Sequence, residues 1–295
     1  MSSFFRIRFF WVWVLLGSSL GYAGPPFRLL TLNINQFPYG LGLKNHQERA
    51  EKLAQIIREK QDQYDVIAFQ EVWSNRTRDE IYRQIQTFYP HRSEDRSWGY
   101  LVLGFHSGLA IYSKYPIRRK MLITYRDYRG FENLAKKGLM GVEIEKNGKP
   151  VYVFTTHLQA GPGNAFFQWL DQGKPRTDQI SLLQLQEAET EINRFVREKD
   201  APIFLAGDFN ITALSEEYHR ALQELPAWRD TFDPNRSHYQ GTSWNDFPEN
   251  QRIDFILTRN LPPSEGTAYS VIVDDFGPSV TDHPGVLGFF EYEKL

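Results

Sequence analysis

The sequence predicts an α/β sandwich within one domain, two packed sheets with helices on their outer faces. Short apolar runs of strand length alternate with amphipathic helical stripes along most of the chain. Between Tyr100 and Thr156 the pattern changes to successive strand segments punctuated by turns. No repeat, low-complexity tract or linker-like break follows residue 24. One domain of 295 residues would bury roughly 75% of its unfolded surface, enough for a core without cross-links. The chain has no cysteine, so it has neither disulfides nor thiolate ligands.

The opening residues read differently. Arg6 and Arg8 precede the apolar block Phe9-Phe10-Trp11-Val12-Trp13-Val14-Leu15-Leu16, and Gly21-Tyr22-Ala23 supplies small residues for cleavage. These features describe a secretory signal peptide over residues 1–23, cleaved near Ala23. The apolar block is too short to cross a bilayer, which takes about 20 residues. The expectation is a secreted domain over residues 24–295. Its formal charge is -2 with Arg6 and Arg8 and about -4 without them. Proteins that grip nucleic acid regardless of sequence carry a basic excess, so general nucleic-acid binding is disfavoured.

Phe27 to Asn35 is the first predicted strand, leading into a Pro/Gly-rich loop at 38–42. Asn45-His46-Gln47-Glu48 has capping-box character, and Ala50, Leu53, Ile56 and Ile57 form the stripe of the helix behind it. Asp65 to Val72 is a second strand, followed by a helix near Asp79 to Phe88. Strands are predicted at Leu101 to Leu103, Gly108 to Ser113, Ile117 to Tyr125, Leu139 to Glu145 and Val151 to Thr156, the last two joined by an Asn147-Gly148 hairpin turn. A long helix over Thr177 to Arg197 turns Leu185, Ala188, Ile192, Phe195 and Val196 inward. Ile203 to Asn210 is a buried strand with a polar end, and a short helix follows near Ser215 to Leu225. Arg252 to Leu257, Tyr269 to Val273 and Val286 to Tyr292 complete the strands.

Polar groups recur where these strands end: Asn33, Glu71, His157, Asp208 with Asn210, Asp254, and Asp282 with His283. Each alone has an ordinary explanation, and Asp208-Phe209-Asn210 by itself marks an Asx turn. Gathered at one edge of two sheets they would form a site, because loops on a rigid scaffold carry function. Asp208 and Asn210 share a strand face while Phe209 returns to the core. Glu71 with Asn33 offers hard oxygen ligands, suited to Mg²⁺, Mn²⁺ or Ca²⁺ more than to Zn²⁺. His157 and His283 can exchange protons near neutral pH, and Asp254 could orient one of them. A hard cation with an acid and a base is what attack of water on a phosphodiester requires.

Phe69-Gln70-Glu71, Thr156-His157-Leu158, Gly207-Asp208-Phe209-Asn210, Arg252-Ile253-Asp254 and Thr281-Asp282-His283-Pro284 resemble, in order, the motifs of the endonuclease/exonuclease/phosphatase superfamily. The resemblance covers nearly the whole chain after residue 24 and implies the DNase I-like fold, a four-layered α/β sandwich. Asn133-Leu134-Ala135-Lys136-Lys137-Gly138, Gln159-Ala160 after the His157 motif, and Pro175-Arg176-Thr177-Asp178-Gln179-Ile180 look like the branch of bacterial secreted neutral sphingomyelinases. That branch implies Mg²⁺-dependent hydrolysis of sphingomyelin to ceramide and phosphocholine at a bilayer surface, by a monomer. The resemblance implies Mg²⁺ on Glu71, with Asn33 and Asp282 in the metal group. It implies His283 as general base supported by Asp254 and Asp282, His157 on the leaving-group side, and Asp208 with Asn210 positioning water and phosphate. Lys137 is a candidate phosphate contact.

One departure concerns the membrane. The bacterial enzymes resembled here carry an aromatic-tipped hairpin between the counterparts of Asp254 and Asp282, whereas Thr258 to Thr281 holds only Tyr269 and Phe276 as aromatics. Phe166, Phe167 and Trp169, just after the His157 motif, are the alternative membrane contact, or else pack into the core. The competing functions are a nuclease of the same fold, an inositol-phosphate phosphatase and a binding module. The phosphatases normally carry a cysteine-containing W-C-D-R motif where this chain has Gln251-Arg252-Ile253-Asp254.

Overall fold

The computed structural model describes residues 26–36, 44–96, 106–129, 135–160, 177–242, 251–261 and 268–291. The expected signal peptide, the loop at 38–42, the strand expected at Leu101 to Leu103, and Phe166, Phe167 and Trp169 lie outside the described residues. The strands in chain order are β1 (Phe27–Asn33), β2 (Val66–Gln70), β3 (His91–Glu94), β4 (Ala110–Ser113), β5 (Ile117–Thr124), β6 (Gly138–Lys146), β7 (Lys149–His157), β8 (Ile203–Asp208), β9 (Arg229–Asp230), β10 (Asp254–Arg259), β11 (Ala268–Val273) and β12 (Gly285–Phe290). Among the described residues four α-helices join them: α1 (His46–Glu59), α2 (Asn75–Ile85), α3 (Thr177–Phe195) and α4 (Glu216–Glu224). Among the described residues no helix is long and apolar enough to cross a membrane.

The strands form two six-stranded sheets, in the orders β11-β12-β1-β2-β4-β3 and β5-β6-β7-β8-β10-β9. Each sheet has one parallel pair at its centre, β1 with β2 and β7 with β8, and antiparallel neighbours on both sides. The two halves therefore share a topology that no repeated sequence announces. A parallel pair needs a crossover, and α1 and α3 supply it.

Three apolar layers hold this together. Phe27, Leu29, Val66, Ala68 and Ile111 of the first sheet pack against Val142, Val153, Phe204, Ala206 and Ile256 of the second. The outer face of the first sheet takes Ala50, Leu53, Ile57, Ile81 and Ile85 from α1 and α2. That of the second takes Leu185, Ala188, Ile192 and Ala221 from α3 and α4. The result is the four-layered α/β sandwich. Strands β2 and β8 are buried throughout, as expected for strands packed on both faces.

Several local expectations change. Asn45 precedes α1 in a left-handed conformation (φ 59°) and makes no side-chain cap. The capping-box pattern needs an extended N-cap, which this backbone does not provide. Helix α2 starts before Asp79, because the Ser74 hydroxyl accepts Thr77 N–H at 3.3 Å and caps it there. Strands β3 and β9 were not expected, being short and largely polar. Asp254 opens β10, and Asp282 and His283 precede β12, instead of ending strands. Both strands run antiparallel to their parallel-pair neighbours, so they enter from the edge where β1, β2, β7 and β8 leave.

Gly207 sits beside that edge at φ 141°, and a β-carbon there would lie 2.0 Å from Thr156 O. Glycine is demanded by the close pairing of β7 with β8. Gly207→Ala is expected to destabilise the fold by about 2–3 kcal/mol, read as a lower urea midpoint at unchanged m-value.

Candidate active site

Three strand-edge turns are built alike. Asn35 N–H donates to Asn33 Oδ1 at 3.0 Å, Asn210 N–H to Asp208 Oδ1 at 2.9 Å, and His283 N–H to Thr281 Oγ1 at 3.2 Å. An Asx turn therefore does end β8 at Asp208, and it leaves the second carboxylate oxygen for other contacts. Asn35, Glu71 and Asn210 have φ of 44°, 60° and 50°. Asparagine tolerates this region, but glutamate enters it only where its surroundings hold it. Gln36 N–H donates to Glu71 C=O at 3.0 Å, and Val72 N–H to Gly108 C=O at 2.9 Å. Main-chain bonds on both sides thus hold the reversal at Glu71.

The side chains meet across the two sheets. Asn33 Nδ2 donates to Glu71 Oε1 and to Asp208 Oδ2, each at 3.0 Å. His157 Nε2 lies 3.7 Å from Glu71 Oε1 and 3.6 Å from Asp208 Oδ2. His157 and Asp208 are register partners in the parallel pair, and Asp208 and Asp254 are partners in the antiparallel one. Asp254 Oδ2 receives a 2.8 Å hydrogen bond from His283 Nδ1. Potential ligand atoms of Glu71, His157 and Asp208 lie within 4.8 Å of one another, as do those of Asp208, Asp254 and His283. Asp208 belongs to both groups.

Burial pushes Glu71 up to about 7, against the pull of Asn33, Lys137 and His283. Burial also pushes Asp254 up, to about 6, although the charge of His283 draws it down. For His283 burial acts downward, but Asp254, Asp208 and Asp282 outweigh it and raise the imidazole to about 10. His157 is held well below its ordinary value by burial, then by the charges of Lys137 and His283. The two imidazoles are thus shifted in opposite directions.

The donor set fits a hard divalent cation. Glu71 Oε2, His157 Nδ1, Asp254 Oδ1 and Asp282 Oδ1 are buried atoms without a hydrogen-bond partner. A buried ionised oxygen is costly unless a proton or a cation satisfies it. The carboxylate that converges with Glu71 is Asp208; Asp282 belongs to neither group and instead accepts Asn35 Nδ2 at 2.6 Å. Asn33 presents its amide nitrogen to the carboxylates while its oxygen serves Asn35, so it clamps them where oxygen ligation was expected. Lys137 is buried, and its Nζ donates to Leu158 C=O at 2.7 Å. Asn210 Nδ2 shares that carbonyl at 3.1 Å.

Sequence reasoning missed three supporting residues. Arg49 of α1 donates to Val280 C=O at 2.8 Å, Asn35 C=O at 2.9 Å and Ile34 C=O at 2.6 Å, tying the β1 exit to the His283 loop. Its signal was an arginine on the apolar stripe of α1, one turn from Leu53. Gln70 Nε2 donates to Thr31 Oγ1 at 2.9 Å and to Thr155 Oγ1 at 2.8 Å, joining the two sheets beneath the site. The Thr242 hydroxyl accepts Ile253 N–H at 2.9 Å and Asp254 N–H at 3.0 Å.

Two helix-backed sheets that gather carboxylates, an amide and two imidazoles at one edge define an α/β sandwich with a metal-type acid–base centre. The chain belongs to the endonuclease/exonuclease/phosphatase family, whose model matches residues 30–283. It is 27% identical over 217 residues to a phospholipase C of Staphylococcus aureus, covering 66% of this chain and 62% of that protein. It is 28% identical over 169 residues to a sphingomyelinase C of Bacillus cereus, covering 52% of this chain and 47% of that one. The chain thus spans only part of the length of the curated relatives it matches. A beta toxin variant from Staphylococcus aureus, solved with bound magnesium ions, superposes with a TM-score of 0.72 at 20% identity, over 90% of this chain and 99% of that one.

Glu71 retains its proton in the folded, cation-free protein up to about pH 7. Its folded value lies above the ordinary carboxylate value, so its contribution to stability falls as pH rises through that window. A cation must displace that proton. Mg²⁺ affinity is expected to fall about tenfold per pH unit below 7, the linkage of one displaced proton, measured by calorimetry at pH 6 and 8. Equal affinity at both values would remove Glu71 from the cation site.

Proposed function

We propose that this chain is a secreted, Mg²⁺-dependent phosphodiesterase that hydrolyses sphingomyelin to ceramide and phosphocholine. The observation that carries the reading is the convergence of two imidazoles, His157 and His283, with the carboxylates of Glu71, Asp208 and Asp254 at one sheet edge. The names of the relatives favour a choline phospholipid over DNA, and the formal charge of -2 agrees, since a nuclease gains from a basic groove. The apolar segment before residue 24 supports export, and the domain is proposed to act as a monomer.

A divalent cation on Glu71 and Asp208 would neutralise charge at a phosphoryl oxygen and at the departing oxygen. Asp254 engages His283 Nδ1, which leaves Nε2 to exchange a proton with the attacking water. A cation held beside Asp208 would offset part of the charge that raises His283, so that the imidazole could release its proton to solvent and accept one at Nε2 from the attacking water. His157, neutral at rest, can hydrogen-bond the leaving-group side without adding charge. Lys137 and Asn210, which share the Leu158 carbonyl, are the residues proposed to position the phosphate. Asp282 supports His283 from the Asn35 side, through its charge.

Purified protein is offered sphingomyelin, phosphatidylcholine, DNA and an inositol polyphosphate, with Mg²⁺ or EDTA. Phosphocholine release from sphingomyelin, lost in EDTA, is the expected result; cleavage of DNA alone would refute the proposal. His157→Ala and His283→Ala are each expected to lower turnover by ~10² to 10⁴-fold while the thermal midpoint stays near wild type. Retained activity in either variant removes that histidine from the mechanism.

A further inference from the structure

His106 is a buried imidazole that the hydrolytic reading leaves without a task. It lies just ahead of β4, and its ring packs beside Trp73 with the centroids 5.7 Å apart. Gly108 N–H donates to its Nδ1 at 3.1 Å, so the ring proton is on Nε2, which donates to Trp73 C=O at 2.7 Å. Burial lowers the imidazole to about 4, and the charge of Arg78 acts the same way, in keeping with that neutral form. A ring nitrogen that accepts the N–H two residues on imitates the oxygen of an Asx turn. His106 therefore shapes the bend that ends at Gly108.

The next bond reaches the site. Gly108 C=O accepts Val72 N–H at 2.9 Å, and Val72 directly follows Glu71. Gly108 has φ 69°, and a β-carbon there would lie 3.2 Å from Glu71 Cα and 3.1 Å from the Trp73 ring, so the two segments are pressed together. Three bonds close a ring around them: Val72 N–H to Gly108 C=O, Gly108 N–H to His106 Nδ1, and His106 Nε2–H to Trp73 C=O. Arg78 of α2 backs this ring from the core. It is fully buried; its Nη2 donates to Val72 C=O at 2.6 Å and lies 3.3 Å from His106 Nδ1, while Nη1 donates to Asn75 Oδ1 at 3.1 Å and to Asp95 C=O. Well-packed apolar groups would serve stability as well as a buried guanidinium does. What Arg78 and His106 add is direction, at the one glutamate held in left-handed backbone, φ 60°.

We propose that His106 is a positioning residue for the active centre: through Gly108 it fixes the left-handed turn at Glu71 and so the aim of that carboxylate into the cation site. This rests on the reading of Glu71 as a cation ligand. Groups that orient a ligand without touching the metal typically change its affinity by about 10- to 100-fold when removed.

Mg²⁺ affinity, measured by calorimetry at pH 8, is compared between the wild-type protein, His106→Ala and His106→Asn. Asparagine keeps an acceptor for Gly108 N–H, and alanine does not. The expected result is about tenfold weaker Mg²⁺ binding by the alanine variant and an affinity near wild type in the asparagine variant. A role in stability alone would lower the thermal midpoint of His106→Ala and leave its Mg²⁺ affinity unchanged; that result overturns the proposal, as does equal weakening in both variants. If His106→Ala does not fold, His106→Gln, which can still reach Trp73 but loses the acceptor for Gly108, carries the same expectation. Sphingomyelin hydrolysis by the same samples separates the two readings. Wild-type cleavage with equal Mg²⁺ affinities sinks only the positioning role, whereas weaker Mg²⁺ binding by the alanine variant without any wild-type cleavage keeps that role and sinks the lipid reading. A wild-type protein that binds no Mg²⁺ sinks both.

Discussion

Glu71, Asp208 and Asp254 bring three carboxylates out of water into one centre, an arrangement that repels itself and loses hydration as well. Its neighbours offset this in different ways. One Asn33 amide donates to two of the carboxylates at once. His283 carries a compensating charge against the third. Lys137 acts on Glu71 at longer range while its ammonium stays anchored on Leu158. What these do not satisfy are Glu71 Oε2 and Asp254 Oδ1, and the upward shifts of both carboxyls are the electrostatic form of that deficit. A centre that leaves an oxygen of two carboxylates underbonded has the donor chemistry of a cation site.

Convergence of these groups is a matter of strand direction. Two parallel pairs, each closed by a crossover helix, deliver four strand exits to one edge, and the antiparallel strands beside them deliver two entries. Ligands in open α/β sheets gather outside the carboxyl ends of strands for this reason. Here two such edges face each other, so Asn33 and Glu71 come from one sheet and His157, Asp208 and Asp254 from the other. Neither sheet alone holds an acid–base pair beside a full oxygen set.

The apolar runs and the ordered polar groups beside them were legible in the sequence, because a buried strand advertises itself by composition and its polar end by contrast. Strands β3 and β9 were not, since His91-Arg92-Ser93-Glu94 and Arg229-Asp230 carry no apolar run; pairing alone makes them strands. The role of Asn33 was hidden for another reason. Oxygen and nitrogen occupy the two ends of one amide, and which end faces Glu71 depends on Asn35 N–H claiming the oxygen. Asp254 and His283 were recognised as site residues, yet their position at strand entries depends on sheet order, which no local pattern encodes. Arg49 was not singled out, and Gln70 was read only as part of a strand and of the Phe69-Gln70-Glu71 motif, because their partners lie far along the chain.

Gln70 bears on why the two edges stay aligned. The interface between the sheets is made of phenylalanine, valine, leucine, isoleucine and alanine contacts, which are strong in sum but nondirectional. Such an interface tolerates small slips, and a slip of about an ångström would separate Asn33 from Asp208, since a hydrogen bond at 3.0 Å weakens steeply with distance. Gln70 adds direction: its amide reaches Thr31 in its own sheet and Thr155 in the facing one, in the layer directly beneath the site. Thr155 precedes Thr156 and His157 on β7, and Gln70 precedes Glu71 at the exit of β2, so the bond fixes the approach of the two strands that supply those groups. A buried polar link of this kind adds little net stability when satisfied but is costly to misalign. Stability comes from the apolar layers, and the registry of the active centre is held by Gln70 together with the Asn33 amide that reaches Asp208 across the same gap.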